Sequence, residues 1–183
     1  MEYIVASGSL APGVPTDIYA QIAAIAKSKG AKLIVDTSGE ALKAAADEGI
    51  FLLKPNLAEL SSLAGREEIN AELVDDVARE IIGKGNCEVV VVSLGPAGAM
   101  LVTANEIIQA TPPAVKKRST VGAGDSMVAG IVLSLSKGWE LKDALRYGVA
   151  TGTAATMNNG TELCKLKDVE CLFPLIRAIK ING

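Results

Sequence analysis

Seven residues, Thr120-Val121-Gly122-Ala123-Gly124-Asp125-Ser126, place two glycines and an alanine ahead of an acid where an apolar helical pattern begins. Small residues there leave backbone amides bare. Successive N–H groups at a helix start, reinforced by the helix dipole, form a positive concavity suited to an anion such as a phosphoryl group. Asp125 alone could be a capping acid of the first turn. Capping, however, does not require the flanking glycines, and they tip the reading toward an anion. The segment is not a Walker loop, since it lacks Gly-Lys-Ser/Thr. Nor is it a dinucleotide fingerprint, because Met127 stands where the third glycine belongs.

Other residues have chemistry available to them, each with a plainer alternative. Asn56 and Glu59 lie three apart at a helix start, which on spacing alone describes a capping box. Lys54, at a strand end before Pro55, is a compact cation that ordinarily is just solvated. Ser93-Leu94-Gly95-Pro96-Ala97-Gly98 follows a run of four valines and is at least a turn. Ser9 lies in a glycine- and proline-rich stretch and has a structural reading as a turn residue.

Composition removes whole classes. With no histidine, Ser-His-Asp hydrolysis, His-dependent zinc chemistry and imidazole switching are excluded. Cys87, Cys164 and Cys171 are odd in number and without C-x-x-C spacing, so they read as buried thiols rather than a disulfide framework or zinc site. Eighteen Lys and Arg against 21 acids, with only one Trp, three Tyr and two Phe, argue against nucleic acid. The longest apolar runs fall far short of the roughly 20 residues that cross a bilayer. With no signal-peptide pattern at the start, a cytoplasmic protein of one domain is expected.

The elements that must position these residues alternate between β-branched runs and helical periods, which predicts an α/β fold with a mostly parallel sheet. Strands are expected at 3–6, 33–35, 51–53 and 89–92, the last buried on both faces. Helices are expected at 17–28, ended by Gly30, at 41–46, at 57–63 under the Asn56 cap, and at 71–82. Short runs at 99–103, 107–110 and 115–117 predict an antiparallel excursion. Two small-residue-rich helices follow, at 125–136 and 141–157, then a last one at 169–180 interrupted by Pro174.

Taken in order, these segments resemble the PfkB carbohydrate kinases, the ribokinase-like family. Thr120 to Ser126 is similar to its G-A-G-D signature, Lys54-Pro55-Asn56-Leu57-Ala58-Glu59 to its N-x-x-E motif, and Ser93 to Gly98 to its nucleotide-binding turn. Ser7-Gly8-Ser9-Leu10-Ala11-Pro12-Gly13 resembles its S-G-S-x-P-P-G segment, and Ala154 to Thr161 extends the similarity across the chain. The runs Val35 to Leu42 and Thr120 to Val128 look like those of members acting on fructose 6-phosphate. The implied fold is a three-layer α/β/α sandwich, here lacking the family's N-terminal strands and the β-lid through which subunits pair.

The resemblance implies roles residue by residue. Asp125 would be the general base toward a sugar hydroxyl, with the amides of Gly122, Ala123 and Gly124 holding the transferred group. Asn56 and Glu59 would hold Mg2+ through water. Lys54, Asn56, Ser93, Gly95 and Gly98 would contact ATP phosphates and ribose, with Val121, Val149 and Thr153 lining the adenine pocket. Ser9 and Asp125 would meet the sugar phosphate. Carbonyls of Ser119, Val121, Ala155, Asn158 and Gly160 would bind K+, and Glu162 adds an unassigned charge near them.

The expected activity is transfer of the ATP γ-phosphoryl group to a phosphorylated sugar, fructose 6-phosphate first, with tagatose 6-phosphate and fructose 1-phosphate as siblings. Most sugar-binding residues lie in the part without counterpart here, so the isolated chain is expected to be inactive and prone to homo-oligomerise along a bared strand edge. The rival of another class is a non-catalytic nucleotide-binding or self-associating module; a dinucleotide oxidoreductase is disfavoured by Met127.

Overall fold

The structure, a computed structural model, describes residues 2 to 181, so Met1, where the expected single domain opens, and residues 182–183, where it closes, lie outside the described residues. The chain separates into two compact units. One runs to Ser93 and adds Met100–Ile107; the other comprises Leu94–Ala99 and continues from Ile108.

The first unit is a run of βα repeats: β1 (Tyr3–Ser7), α1 (Ile18–Ser28), β2 (Lys32–Asp36), α2 (Gly39–Asp47), β3 (Ile50–Leu53), α3 (Leu57–Leu63), α4 (Val74–Gly83) and β4 (Cys87–Ser93). Strands β1 to β4 lie side by side in chain order and pair in parallel, with Tyr3 level with Lys32, Val35 with Leu53, and Leu53 with Val90. Sequential parallel strands joined by right-handed crossovers carry their helices on one face. The packing agrees, as α1 lies on α2, α2 on α3 and α3 on α4. Val89 to Val92 are buried, as a strand covered on both faces requires. β5 (Ala99–Val102), most of which belongs to this unit, is the next strand after β4. The turn at 103–106, tied by the Thr103 N–H to the Glu106 carbonyl at 2.9 Å, is too short for a parallel crossover, so the chain reverses there as expected.

The second unit holds most of β6 (Ile107–Thr111), then α5 (Ala123–Ser136), α6 (Leu141–Thr156), α7 (Leu166–Leu172) and β7 (Arg177–Ile181), with β7 beside β6. Two expectations are corrected here. No strand forms at 115–117, because Pro112 and Pro113 cannot donate to a ladder and the chain runs on without regular structure. The helix expected over 169–180 stops at Leu172, Pro174 falls in a 3-10 turn, and Arg177–Ile181 is a strand.

Helices α5 and α6 pack closely because glycine occupies their contact. A Cβ at Gly130 would run into Thr151 Oγ1, and one at Gly152 would lie 3.0 Å from the Ala123 carbonyl oxygen. Each mid-helix glycine costs about 0.5–1 kcal/mol relative to Ala, a penalty tolerated for the approach of the two backbones. Nearby, Trp139, Tyr147 and Phe173 form an aromatic cluster with centroids 5.4–5.8 Å apart. Arg146 lies over the Phe173 ring at 4.7 Å while donating to the carbonyls of Phe173 and Ile176 and pairing with Asp143 at 2.9 Å.

Of the three cysteines only Cys87 is buried; Cys171 is exposed, since α7 turns Val169 and Leu172 inward and 171 outward. Burial, with Glu88 adding to it, pushes the Cys87 thiol up from 9.0 to about 12. The folded thiol therefore stays protonated where the unfolded one ionises. This contribution to stability is intact below pH 9.0 and is lost as pH rises toward 12. Chemical denaturation is expected to show stability falling above about pH 9, by up to about 1.4 kcal/mol per pH unit, a slope that Cys87→Val should remove. Thiol reagents should label Cys171 and spare Cys87 in the native protein.

Candidate active site

In the first unit the singled-out residues gather at one end of the sheet, just beyond the carboxyl ends of the parallel strands, where open α/β sheets bind ligands. β1 ends at Ser7 and leads into Gly8 and exposed Ser9. The Gly8 carbonyl accepts from the Tyr19 and Thr37 hydroxyls, both at 2.8 Å, and its N–H donates to the Asp36 carbonyl at 2.9 Å. β2 ends at Asp36, β3 leads into Lys54, and β4 ends at Ser93. The register that sets Val35 level with Leu53 brings Asp36 and Lys54 abreast. They form an ion pair at 3.1 Å with Lys54 only 5% and Asp36 16% exposed. Lys54 is thus not the solvated lysine that its type suggested. Its amino group is held at the strand end by a carboxylate that the sequence reading passed over.

Asn56 begins α3 and closes a capping box. Its Oδ1 accepts the Glu59 N–H at 2.9 Å, and Glu59 Oε2 accepts the Asn56 N–H at 2.8 Å. The structural alternative is realised, yet the donor set still suits Mg2+. Both groups are hard oxygens at the accessible start of a helix, and a carboxylate accepting one hydrogen bond keeps further lone pairs for metal-bound water. Among the described residues no group of three or more acids or thiols could hold a metal outright, so hydration would supply most of its ligands. Pro55 ties this start to β4, its carbonyl accepting the Ser93 N–H at 2.9 Å, and Asn56 bridges to Ser93 in the parallel sense.

In the second unit, Gly122 is the N-cap of α5 in the left-handed conformation at φ 74°, so Asp125 is not the cap but the third helical residue, exposed in the first turn. The capping alternative for Asp125 loses its basis. The amides of Ala123 and Gly124 begin the helix without a side-chain cap; the Ala123 N–H donates back to the Thr120 carbonyl at 3.3 Å, which leaves Gly124 as the amide open to an anion. Beside the cap lies Leu163, whose Cδ2 would be 3.1 Å from a Cβ on Gly122 and which is 61% exposed. Leu163 was missed in the sequence, where nothing local links it to residue 122. With Val121, 54% exposed, it leaves an apolar surface at the start of α5. Of the other adenine-pocket candidates, Thr153 is half-buried and Val149 is fully packed within α6.

The K+ candidates are brought together by hydrogen bonds. Arg118 and Ser119 N–H groups donate to the Thr156 carbonyl at 2.8 and 3.3 Å, and Ser119 Oγ donates to the Gly160 carbonyl at 2.7 Å while accepting the Val121 N–H at 3.2 Å. Asn158 Nδ2 donates to Ala154 and Leu163 carbonyls, closing the second segment on itself. The carbonyls of Ala155 and Gly160 each accept one bond and have a second lone pair for a cation. Glu162 is placed by a 3.2 Å ion pair with Lys165.

The turn at 95–98 is a 3-10 turn closed by the Leu94 N–H to the Gly98 carbonyl at 2.9 Å, with φ 59° at Gly95 and 95° at Gly98. A Cβ at Gly98 would collide with the Ala110 carbonyl oxygen, whereas one at Gly95 meets nothing within 4 Å. Gly98→Ala is expected to destabilise by about 2–3 kcal/mol and Gly95→Ala by about 1 kcal/mol, read from thermal melts. The space beside Gly95 leaves room for a ligand to approach, while its carbonyl accepts the Gly98 N–H at 3.1 Å.

Residues 1–168 match the family model described as pfkB family carbohydrate kinase. The chain belongs to the PfkB family. It is 47% identical over 171 residues to the ATP-dependent 6-phosphofructokinase isozyme 2 of Escherichia coli, covering 93% of this chain and 55% of that protein. It is 38% identical to the 1-phosphofructokinase of Rhodobacter capsulatus, covering 89% of this chain and 51% of that one. The crystal structure of Escherichia coli phosphofructokinase-2 in complex with potassium superposes with a TM-score of 0.90 at 46% identity, over 94% of this chain and 56% of that one. This PfkB chain thus spans about half the length of the curated relatives it matches, and its fold is the ribokinase-like α/β fold of its neighbours.

Proposed function

We propose that this PfkB chain is the ATP-binding and phosphoryl-transferring part of a kinase that converts fructose 6-phosphate and ATP to fructose 1,6-bisphosphate and ADP. The observation that carries this reading is the start of α5, where a side-chain-free left-handed cap leaves the Gly124 amide without a capping side chain next to an accessible carboxylate on Asp125. Asp125 takes the proton of the attacking sugar hydroxyl as its oxygen bonds to the γ-phosphorus and the bond to ADP breaks. The amides of Gly122, Ala123 and Gly124 hold the charge on the transferred group. Lys54, fixed by Asp36, supplies a positive charge toward the phosphates, with Ser93, Gly95 and Gly98 approaching the nucleotide. Val121 and Thr153 line the adenine side, Val149 serving only the packing of α6, and Ser9 meets the sugar phosphate.

Asn56 and Glu59 hold Mg2+ through water, and the ion, when bound with ATP, neutralises phosphate charge. The carbonyls of Ser119, Val121, Ala155, Asn158 and Gly160 hold K+, a reading supported by the potassium complex of the Escherichia coli relative. The protein acts in the cytoplasm as a homo-oligomer. No helix among the described residues is long and apolar enough to cross a membrane.

The test is ATP-dependent phosphorylation of fructose 6-phosphate with Mg2+ and K+, by this chain and by a chimera that adds the part of the Escherichia coli isozyme it does not match. Turnover by the chimera is expected. A chimera inactive on this sugar but active on fructose 1-phosphate or tagatose 6-phosphate moves the substrate, and one inactive on all of them brings the reading down. ATP binding without transfer, by chain and chimera alike, would favour the non-catalytic module.

A further inference from the structure

Gly152 sits mid-way along the last turns of α6, where an ordinary residue would serve the helix better, and its contact falls on the start of α5. A Cβ there would lie 3.0 Å from the Ala123 carbonyl oxygen, 3.3 Å from Met127 Cβ and 3.4 Å from Met127 Cε. The first of these is backbone, and backbone at a helix start cannot rotate away as a side-chain tip can. The Ala123 carbonyl and the Gly124 N–H belong to one planar peptide unit. Pressure on the oxygen therefore tips the amide at the other end of the same plane, and that amide is one of those bared at the start of α5.

Gly130, the matching glycine on α5, differs in this respect. It lies seven residues along α5 from Ala123, about 10 Å at 1.5 Å per residue, and its added Cβ would meet the Thr151 side chain and Gly148 Cα on α6, away from the helix start. Of the three glycines in the α5–α6 contact, Gly152 alone touches the peptide plane at the start of α5, while Gly130 and Gly148 meet residues farther along the two helices.

We infer that Gly152 is a positioning residue: its missing side chain sets the tilt of the Ala123–Gly124 peptide and so the aim of the Gly124 amide. The claim about peptide geometry stands on the contact itself, and its importance for ATP rests on the function proposed above. In 1H–15N spectra of this chain without ligand, Gly152→Ala should shift the Ala123, Gly124 and Asp125 amide signals. Gly130→Ala should lower the thermal midpoint yet leave those three in place. MgATP affinity should fall about three- to tenfold with Gly152→Ala, the order of one weakened hydrogen bond, and hold with Gly130→Ala.

Unmoved first-turn amides in Gly152→Ala, or equal movement in both variants, would overturn the inference. So would a Gly152→Ala chain that fails to fold even in trimethylamine N-oxide, which strengthens burial, because the contact would then govern stability alone. If the unaltered chain binds no MgATP, the functional reading fails while the comparison of ligand-free amides still decides this one.

Discussion

Asp125→Asn, made in the chimera that restores the full length of its relatives, is expected to lower kcat by about a thousandfold while the MgATP dissociation constant changes by less than about threefold. Asn matches Asp in shape and keeps an oxygen, so the first turn of α5 and its Gly124 amide should persist. What it loses is the capacity to take a proton. Because the N-cap of α5 is Gly122, Asp125 is not the residue that starts the helix. Single-turnover kinetics beside ATP titration would separate the two effects. Turnover within tenfold of the parent would remove Asp125 from the base role, whereas loss of ATP binding along with turnover would make it a structural residue.

Lys54→Met should have the largest effect on stability, about 3 kcal/mol or more in denaturant titrations. The change deprives Asp36, only 16% exposed, of the cation 3.1 Å away. The companion Asp36→Leu/Lys54→Met should recover much of the loss, since a buried pair is commonly replaceable by apolar residues of similar size. ATP affinity should not recover with it. If the double variant regains stability and still binds MgATP as the parent does, the lysine is a packing element of the strand ends and no phosphate ligand. Recovery of stability with affinity lowered tenfold or more supports the assigned role and separates it from folding.

What was legible in the sequence was local or periodic. Asn56 three residues before Glu59 announced a helix start, and α3 begins there because both halves of a capping box close within four residues. The four valines before Ser93 announced a strand buried on both faces, since only such a position tolerates so many apolar neighbours. The Lys54–Asp36 pair was not legible, because the partners are eighteen residues apart and meet only through the parallel register of β2 and β3. Leu163 beside Gly122 was hidden for the same reason, forty-one residues apart in sequence. Residues 177–181 misled because their apolar spacing also fits a helix. It is the neighbouring strand β6, not the pentapeptide itself, that makes Arg177–Ile181 extended. In the site, residue types pointed to an anion at the start of α5, but that Gly122 rather than Asp125 is the cap follows only from backbone dihedrals.

The aromatic cluster of α6 also determines what light can report about this protein. Its one tryptophan, Trp139, is stacked against Tyr147 and Phe173, all three in the unit that carries Asp125, while the βα repeats contain none. Emission excited at the indole edge therefore follows the unfolding of that unit alone. A second probe that sees both, such as far-ultraviolet ellipticity, would reveal through any gap between the two transitions whether the parallel repeats melt separately from the unit that carries Asp125.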